Sequence, residues 1–316
     1  MILVTGARGQ IGSDLVRTLR ERHGAVAIIA TDLREPDQEA ETSGPYEVVD
    51  IRDLGKLDDV VQRHNVDMIY HLASLLSARG EQAPDLAWEV NVGGLRNVLE
   101  IARENGLRVF WPSSIAVFGN TSPKHAPQRT ILEPTTMYGV TKVAGELLCQ
   151  YYFARFGVDV RSLRYPGIIS HGVEPGGGTT DYAVEIFHAA LEQGEYACFL
   201  NADTRLPMMY MPDAVRATIE LMEASKDLIS VRTAYNVTAF NFSAEELSAS
   251  IAERIDGFIT HYEPDFRQDI ATSWPSSIDD SAARTDWSWE PEFTLDAMVD
   301  DMLVRLREKL SVAGAK

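Results

Sequence analysis

The feature that most limits what this chain can fold into is how its first half alternates. Short apolar runs at residues 2–5, 26–31, 46–49, 68–73, 108–112 and 158–163 read as strands. Between them, residues 10–22, 54–63, 87–104 and 136–156 repeat their apolar positions at helical period. Strands separated by helices pair in parallel, through right-handed crossovers that cover both faces of the sheet. The expected fold is therefore α/β, with a doubly wound parallel sheet.

After about residue 166 the alternation weakens. Residues 182–193, 214–224, 244–254 and 295–310 read as helices, 233–237 and 258–262 as short strands, and the glycine-rich stretch 172–178 as a loop. This predicts a dinucleotide-binding region over 1–166. A smaller α/β substrate region over 167–316 rests on the sheet's carboxyl edge, with segments free to interleave with the sheet.

Charge and cysteine content exclude several classes of function. The chain of 316 residues carries 29 basic and 47 acidic side chains, net −18. Residues 1–166 account for −3 of this and residues 167–316 for −15. Nucleic acids and anionic membranes need a basic face, so neither is an expected partner. No apolar run approaches the ~20 residues of a spanning helix, and no secretory signal precedes the first strand. Two cysteines, Cys149 and Cys198, make neither a disulfide framework nor a zinc site. A reduced, cytoplasmic setting with no bound metal is expected.

Gly6-Ala7-Arg8-Gly9-Gln10-Ile11-Gly12 follows the first strand and opens the first helix. Missing side chains allow a tight turn and let a pyrophosphate approach the helix N-terminus. Asp32 lies 20 residues after Gly12 at the end of the second strand, where a carboxylate accepts from a ribose 2′-hydroxyl. Strand, glycines, helix and acid together predict a Rossmann-type sheet that binds NAD. Asp32 disfavours a 2′-phosphate, and Arg34 is the residue that could oppose that preference.

Tyr138 and Lys142 stand four apart on one helix face. A nearby ammonium favours the phenolate, and such a tyrosine can take a proton from an alcohol. Ser114, at the carboxyl end of the fifth strand, can orient a substrate hydroxyl. His71 reads as a packed, hydrogen-bonded histidine, and Cys149 as a buried one.

Residues 5–12, Asp32, His71-Leu72-Ala73-Ser74, Asn91, residues 113–119 and Tyr138 with Lys142 together resemble the extended short-chain dehydrogenase/reductase family. The resemblance implies Ser114, Tyr138 and Lys142 as catalytic residues. It implies Gly6, Gly9, Gln10, Ile11, Gly12, Asp32, Asp50, Ile51, Leu72, Ala73, Ser74, Asn91, Tyr138, Lys142 and Tyr165 around NAD. It also implies a homodimer through the helices that carry Asn91 and Tyr138.

Members acting on nucleotide sugars generally keep an arginine for the diphosphate. Here that position falls on Leu206, beside Arg205. Gly176-Gly177-Gly178-Thr179-Thr180-Asp181, with Trp274-Pro275, instead resembles the short-chain L-threonine 3-dehydrogenases. That branch implies oxidation of L-threonine to 2-amino-3-oxobutyrate, with Ser74, Ser114, Tyr138, Gly178, Thr179, Thr180, Asp181 and Trp274 around the substrate. Gly177 and Gly178 would let residues 172–181 close over it. The helix start suits a carboxylate, and Asp181 suits an ammonium. A nucleotide-sugar epimerase or dehydratase is the alternative enzyme, and a cofactor-sensing protein without chemistry the alternative class.

Overall fold

The computed structural model describes residues 1–36, 43–173, 176 and 178–314. In chain order the first half contains β1 (Ile2–Thr5), α1 (Gln10–His23), β2 (Ile28–Asp32), β3 (Tyr46–Val48), α2 (Leu54–His64), β4 (Met68–His71), α3 (Ser77–Gln82), α4 (Pro84–Trp88), α5 (Gly94–Asn105), β5 (Arg108–Ser114), α6 (Met137–Phe156) and β6 (Val160–Tyr165). The rest contains β7 (Gly167–Ile169), α7 (Tyr182–Glu192), β8 (Glu195–Cys198), β9 (Arg205–Tyr210), α8 (Met211–Glu223), β10 (Tyr235–Asn236), β11 (Phe240–Ser243), α9 (Ala244–Ala252), β12 (Ile259–Tyr262), α10 (Phe266–Ser273), α11 (Ser281–Trp287) and α12 (Leu295–Gly314).

Seven strands form one parallel sheet in the order β10-β6-β5-β4-β1-β2-β3. The order reverses between β1 and β4, the switch point at which open α/β sheets bind ligands. The strands are apolar on both faces because helices cover both. Leu3, Ile29, Ile69 and Val109 pack against α2, α5 and α6, while Val4, Tyr70, Phe110 and Leu163 pack against α1 and α8.

Residue 166 is not a break between separate bodies. The two-residue β10 pairs with β6 at the edge of the main sheet. Met209, Ala214, Leu221 and Trp287 share the core of the first half. A second core, built from α7, β8, β9, α9 and α12, lies beyond it. Two small pairings tie the regions together: the three-stranded β11-β9-β7, and His125–Ala126 against Ser277–Ile278.

One helix departs from the sequence expectation. The run expected over 87–104 is interrupted by a π turn, Glu89–Gly93, between α4 and α5. Gly94 explains the close packing there, since a Cβ at that position would fall 2.3 Å from Ile51 Cδ1. Such wide turns often serve functional sites, and this one holds the buried Asn91.

Candidate active site

The glycine turn is built without spare room. Gly6 has φ +69, and a Cβ there would lie 2.6 Å from the Ala73 amide nitrogen. Leu72 N–H donates to the Thr5 carbonyl at 3.0 Å, so the end of β4 lies against the turn. A Cβ on Gly12 would fall 2.2 Å from the Gly6 carbonyl oxygen. No side chain caps α1 at Gly9, and no acidic residue stands in its first turn. Ser13 N–H is the amide that bonds back to Gly9, at 3.0 Å. The first-turn amides of Gln10, Ile11 and Gly12 thus face outward as donors without helical acceptors. This donor set fits a pyrophosphate.

Asp32 terminates β2 beside the turn. Its carboxylate accepts from the Arg8 amide at 3.0 Å and from Arg34 Nε at 3.1 Å. Burial works to raise this carboxyl, and the hydrogen bonds from Arg34 and the amides of Arg34 and Arg8 outweigh it, holding it below the usual range. Arg34 therefore serves Asp32, and is not presented to a 2′-phosphate. NAD is expected to be preferred over NADP, and Asp32→Ala, which releases Arg34, to narrow the ratio of kcat/KM by about 10- to 100-fold, the worth of one charge-assisted hydrogen bond. Equal efficiency with both cofactors in the unaltered protein would overturn this.

Other residues expected at the cofactor divide into two groups. Asp50 accepts from the Arg52 amide at 2.9 Å and from its guanidinium at 2.6 Å. Ser74 Oγ donates to Asn91 Oδ1 at 3.1 Å. Asn91 also accepts from the Leu75 amide at 2.7 Å and donates to Thr141 Oγ1 at 3.0 Å. Asn91 thus ties the segment after β4 to α6. The side chains of Ile51 and Tyr165 are turned away from the crevice. Ile51 is buried against α5 at Gly94, and its carbonyl accepts from Asn97. The Tyr165 ring is buried edge-on to Phe110, and its hydroxyl bonds to Thr218. At these two positions the side chains are committed to the core, and main chain is what they offer a ligand.

Ser114, Tyr138 and Lys142 come together at the carboxyl end of β5. Thr136 caps α6 through the Gly139 amide at 3.1 Å, which starts the helix just before Tyr138. Ser114 Oγ, which accepts from the Ala116 amide at 3.2 Å, stands beside the Tyr138 hydroxyl. Desolvation pushes the phenol up to about 12, with Ser114 working the other way. Lys142 is 2% exposed; its Nζ donates to the Pro112 carbonyl at 2.7 Å and lies 5.4 Å from the Tyr138 ring centre. Burial lowers this lysine to about 7, against the charges of Cys149 and Glu146. His71 bonds Thr5 through Nδ1 at 2.7 Å, and burial holds it neutral at about 3.

The expected substrate segment leads into α7. Gly177 lies outside the described residues. Asp181 Oδ2 accepts from the amides of Gly176 and Gly178, both at 2.8 Å, so its carboxylate braces the loop. Thr179 is buried, and the Thr180 methyl packs over Gly167. Trp274 caps the end of α10 and packs with Ile115, Val117 and Phe118, the residues directly after Ser114. Arg205 donates to the Asn241 carbonyl and bonds Glu246, while Leu206 is buried. Among the described residues, no group of three His, Cys, Asp or Glu side chains is placed to hold a metal, and no helix is long and apolar enough to cross a membrane.

Sequence reasoning passed over Glu146. It is buried on α6 and bonded to Ser113 and Arg164. The available signal was Arg164, a guanidinium in the sixth strand of the sheet, where burial requires a partner.

A parallel sheet with an open glycine turn at its switch point, and Ser114, Tyr138 and Lys142 brought together beside it, is the architecture of the extended short-chain dehydrogenase/reductase class. Residues 2–238 match the NAD dependent epimerase/dehydratase family. The chain belongs to that family, and its cofactor is NAD. A Staphylococcus haemolyticus relative, described as an uncharacterized epimerase/dehydratase, is 50% identical over 311 residues, 98% of both chains. The holo form of a GalE-like L-threonine dehydrogenase from Cupriavidus necator superposes with TM-score 0.94 at 53% identity, covering 96% of this chain and 99% of its own. A monomeric L-threonine 3-dehydrogenase from a metagenome, in its apo form, gives 0.93 at 50% identity over 98% and 99%.

Proposed function

We propose that this protein oxidises the 3-hydroxyl of L-threonine to L-2-amino-3-oxobutyrate. The observation that carries the reading is likeness to the Cupriavidus necator L-threonine dehydrogenase along nearly the full length of both chains. The engagement of Arg205 by Glu246 and Asn241 supports it, since no guanidinium is left at that position for a sugar diphosphate.

NAD supplies the hydride acceptor. Ser114 orients the substrate hydroxyl, and Tyr138 removes its proton through the oxygen that Ser114 now contacts. Lys142, anchored on Pro112, stands on the same helix face, where its charge favours the phenolate and its Nζ can reach a cofactor ribose. Asn91 and Ser74 hold the wall opposite α6 in place. Thr179, Thr180 and Gly178 read the substrate carboxylate, and Trp274 covers its methyl. The exposed Trp88, Val140, Leu147 and Tyr151 on α4 and α6 are the face that a homodimer would bury; light scattering tests that.

The direct experiment incubates the protein with NAD and a panel of hydroxy amino acids and follows NADH absorbance. L-threonine is expected to be oxidised best. Serine, which lacks one methyl contact worth ~1–3 kcal/mol, is expected to be slower. 3-Hydroxybutyrate is expected to be slower still, because it lacks the ammonium that Asp181 suits. Thr179→Ala and Thr180→Ala are expected to raise the KM for threonine at least tenfold and that for NAD less than twofold. Turnover of a UDP- or dTDP-sugar in place of threonine would overturn the assignment, as would efficient oxidation of 3-hydroxybutyrate.

A further inference from the structure

Behind the Ser114–Tyr138–Lys142 centre lies a buried charged cluster that the chemistry above does not use. Glu146 stands one helical turn after Lys142 and is 1% exposed. Its Oε1 accepts from Ser113 Oγ at 2.6 Å and from Arg164 Nε at 2.8 Å, and its Oε2 accepts from Arg164 Nη2 at 2.7 Å. Arg164, 3% exposed on β6, donates further to Asn236 Oδ1 on β10 at 3.1 Å and to the Gln128 carbonyl at 3.0 Å. One carboxylate therefore joins the last turn before the crevice on β5, the helix α6 and the strand β6.

A buried ion pair is a weak device for stability alone, because apolar side chains of the same volume do as well or better. It offers direction and charge, which apolar packing cannot. The direction here is specific. Ser113 is the neighbour of Ser114, and the residue before it, Pro112, supplies the carbonyl that holds Lys142. The two anchors of the catalytic groups thus sit on either side of the residue that Glu146 grips.

We propose that Glu146 is a positioning residue: its carboxylate locks Ser113, and with it Ser114, onto the helix that carries Tyr138 and Lys142, and it places a fixed negative charge near the Lys142 ammonium. The proposal rests on the reading of Ser114, Tyr138 and Lys142 as the catalytic groups. The groups that face Lys142 are Tyr138, Glu146 and the thiol of Cys149 on its own helix, His71 from β4 and, behind Glu146, Arg164 from β6. Burial keeps His71 neutral and Cys149 protonated. Glu146 is therefore the anion in that set, and Arg164 is already neutralised by it.

Two variants and two readouts test this. Ser113→Ala removes one hydrogen bond and leaves the ion pair whole. Glu146→Gln keeps an acceptor for Ser113 and removes the charge. Melting curves and NAD binding report whether each is folded. The first readout is kcat and KM for threonine. The second needs no turnover: the Lys142 titration, followed by NMR in protein carrying 13Cε-lysine and assigned by the signal lost in Lys142→Met.

Ser113→Ala is expected to lower kcat about tenfold, with both KM values and the melting temperature little changed. Glu146→Gln is expected to move the Lys142 titration about one unit lower, since one unit corresponds to 1.36 kcal/mol of lost interaction. Where Glu146→Gln does not fold because Arg164 is stranded, Ser113→Ala decides. The proposal is overturned if Ser113→Ala keeps kcat within twofold, or if folded Glu146→Gln leaves the Lys142 titration in place. A parent protein that oxidises no hydroxy amino acid refutes the functional reading, while the NMR titration still judges the tie.

Discussion

Tyr138→Phe is expected to bind NAD as the unaltered protein does and to lose about 10²- to 10⁴-fold in kcat, the usual worth of a positioned acid–base group. The ring packs unchanged on the first turn of α6, so the cradle at Gly6 and the Lys142 anchor on Pro112 stay intact. What goes is the oxygen that Ser114 contacts. NADH absorbance reads the rate, and calorimetric NAD binding shows that the cradle survives. The same geometry predicts the pH dependence. Burial holds the phenol near 12, so its base form is scarce at neutral pH and threonine oxidation rises with pH. A Phe variant that keeps half its rate would place the proton acceptor elsewhere.

Lys142→Met is expected to raise stability while it removes activity. The ammonium is buried beside Trp111, 4.6 Å from that ring's centre, and burial lowers its pKa from 10.5 to about 7. Between pH 7 and 10.5 the unfolded chain therefore binds more protons than the folded one, and stability rises with pH across that window. The penalty is fully present below about pH 7 and absent above about 10.5. At 1.36 kcal/mol per unit it amounts to several kcal/mol, on the order of 5 at neutral pH. The Met variant loses the hydrogen bond to Pro112, which offsets ~1–3 kcal/mol of the gain. A rise in melting temperature of a few degrees at pH 6.5, shrinking towards pH 10, is the expected outcome. The KM for NAD is expected to rise about tenfold and kcat to fall at least 100-fold. A melting temperature that drops at pH 6.5 would mean the lysine is better paired than Pro112 and the Trp111 ring allow.

A lysine buried at a cost to the fold is what a functional site looks like in energetic terms. The same holds for the glycine turn. Gly6, at φ +69, and Gly12 leave no room for a Cβ against the backbone of Ala73 and of Gly6 itself, so the turn presents main-chain amides in place of side chains.

Local order was legible in the chain itself. Alternating apolar runs and helical periods set out the parallel sheet, because the period of a segment depends on its own side chains. The glycine turn, Asp32, Tyr138 with Lys142, and Ser114 were equally visible, since their spacing follows from strand and helix geometry. Three other features had no local signal. The π turn at Asn91 depends on Ile51 pressing against Gly94, 43 positions away. The two-residue β10 lies within the strand read at 233–237, but its place at the edge of the main sheet beside β6 depends on a pairing distant in sequence. The side chains of Tyr165 and Asp181 turn to partners found only in the folded chain, Thr218 and Phe110 for the tyrosine and the amides of Gly176 and Gly178 for the aspartate. The sequence determined which groups the crevice would hold. Tertiary structure decided which of them face it, because a polar side chain turns to whichever partner spares it an unpaired burial, and that partner is chosen across the fold.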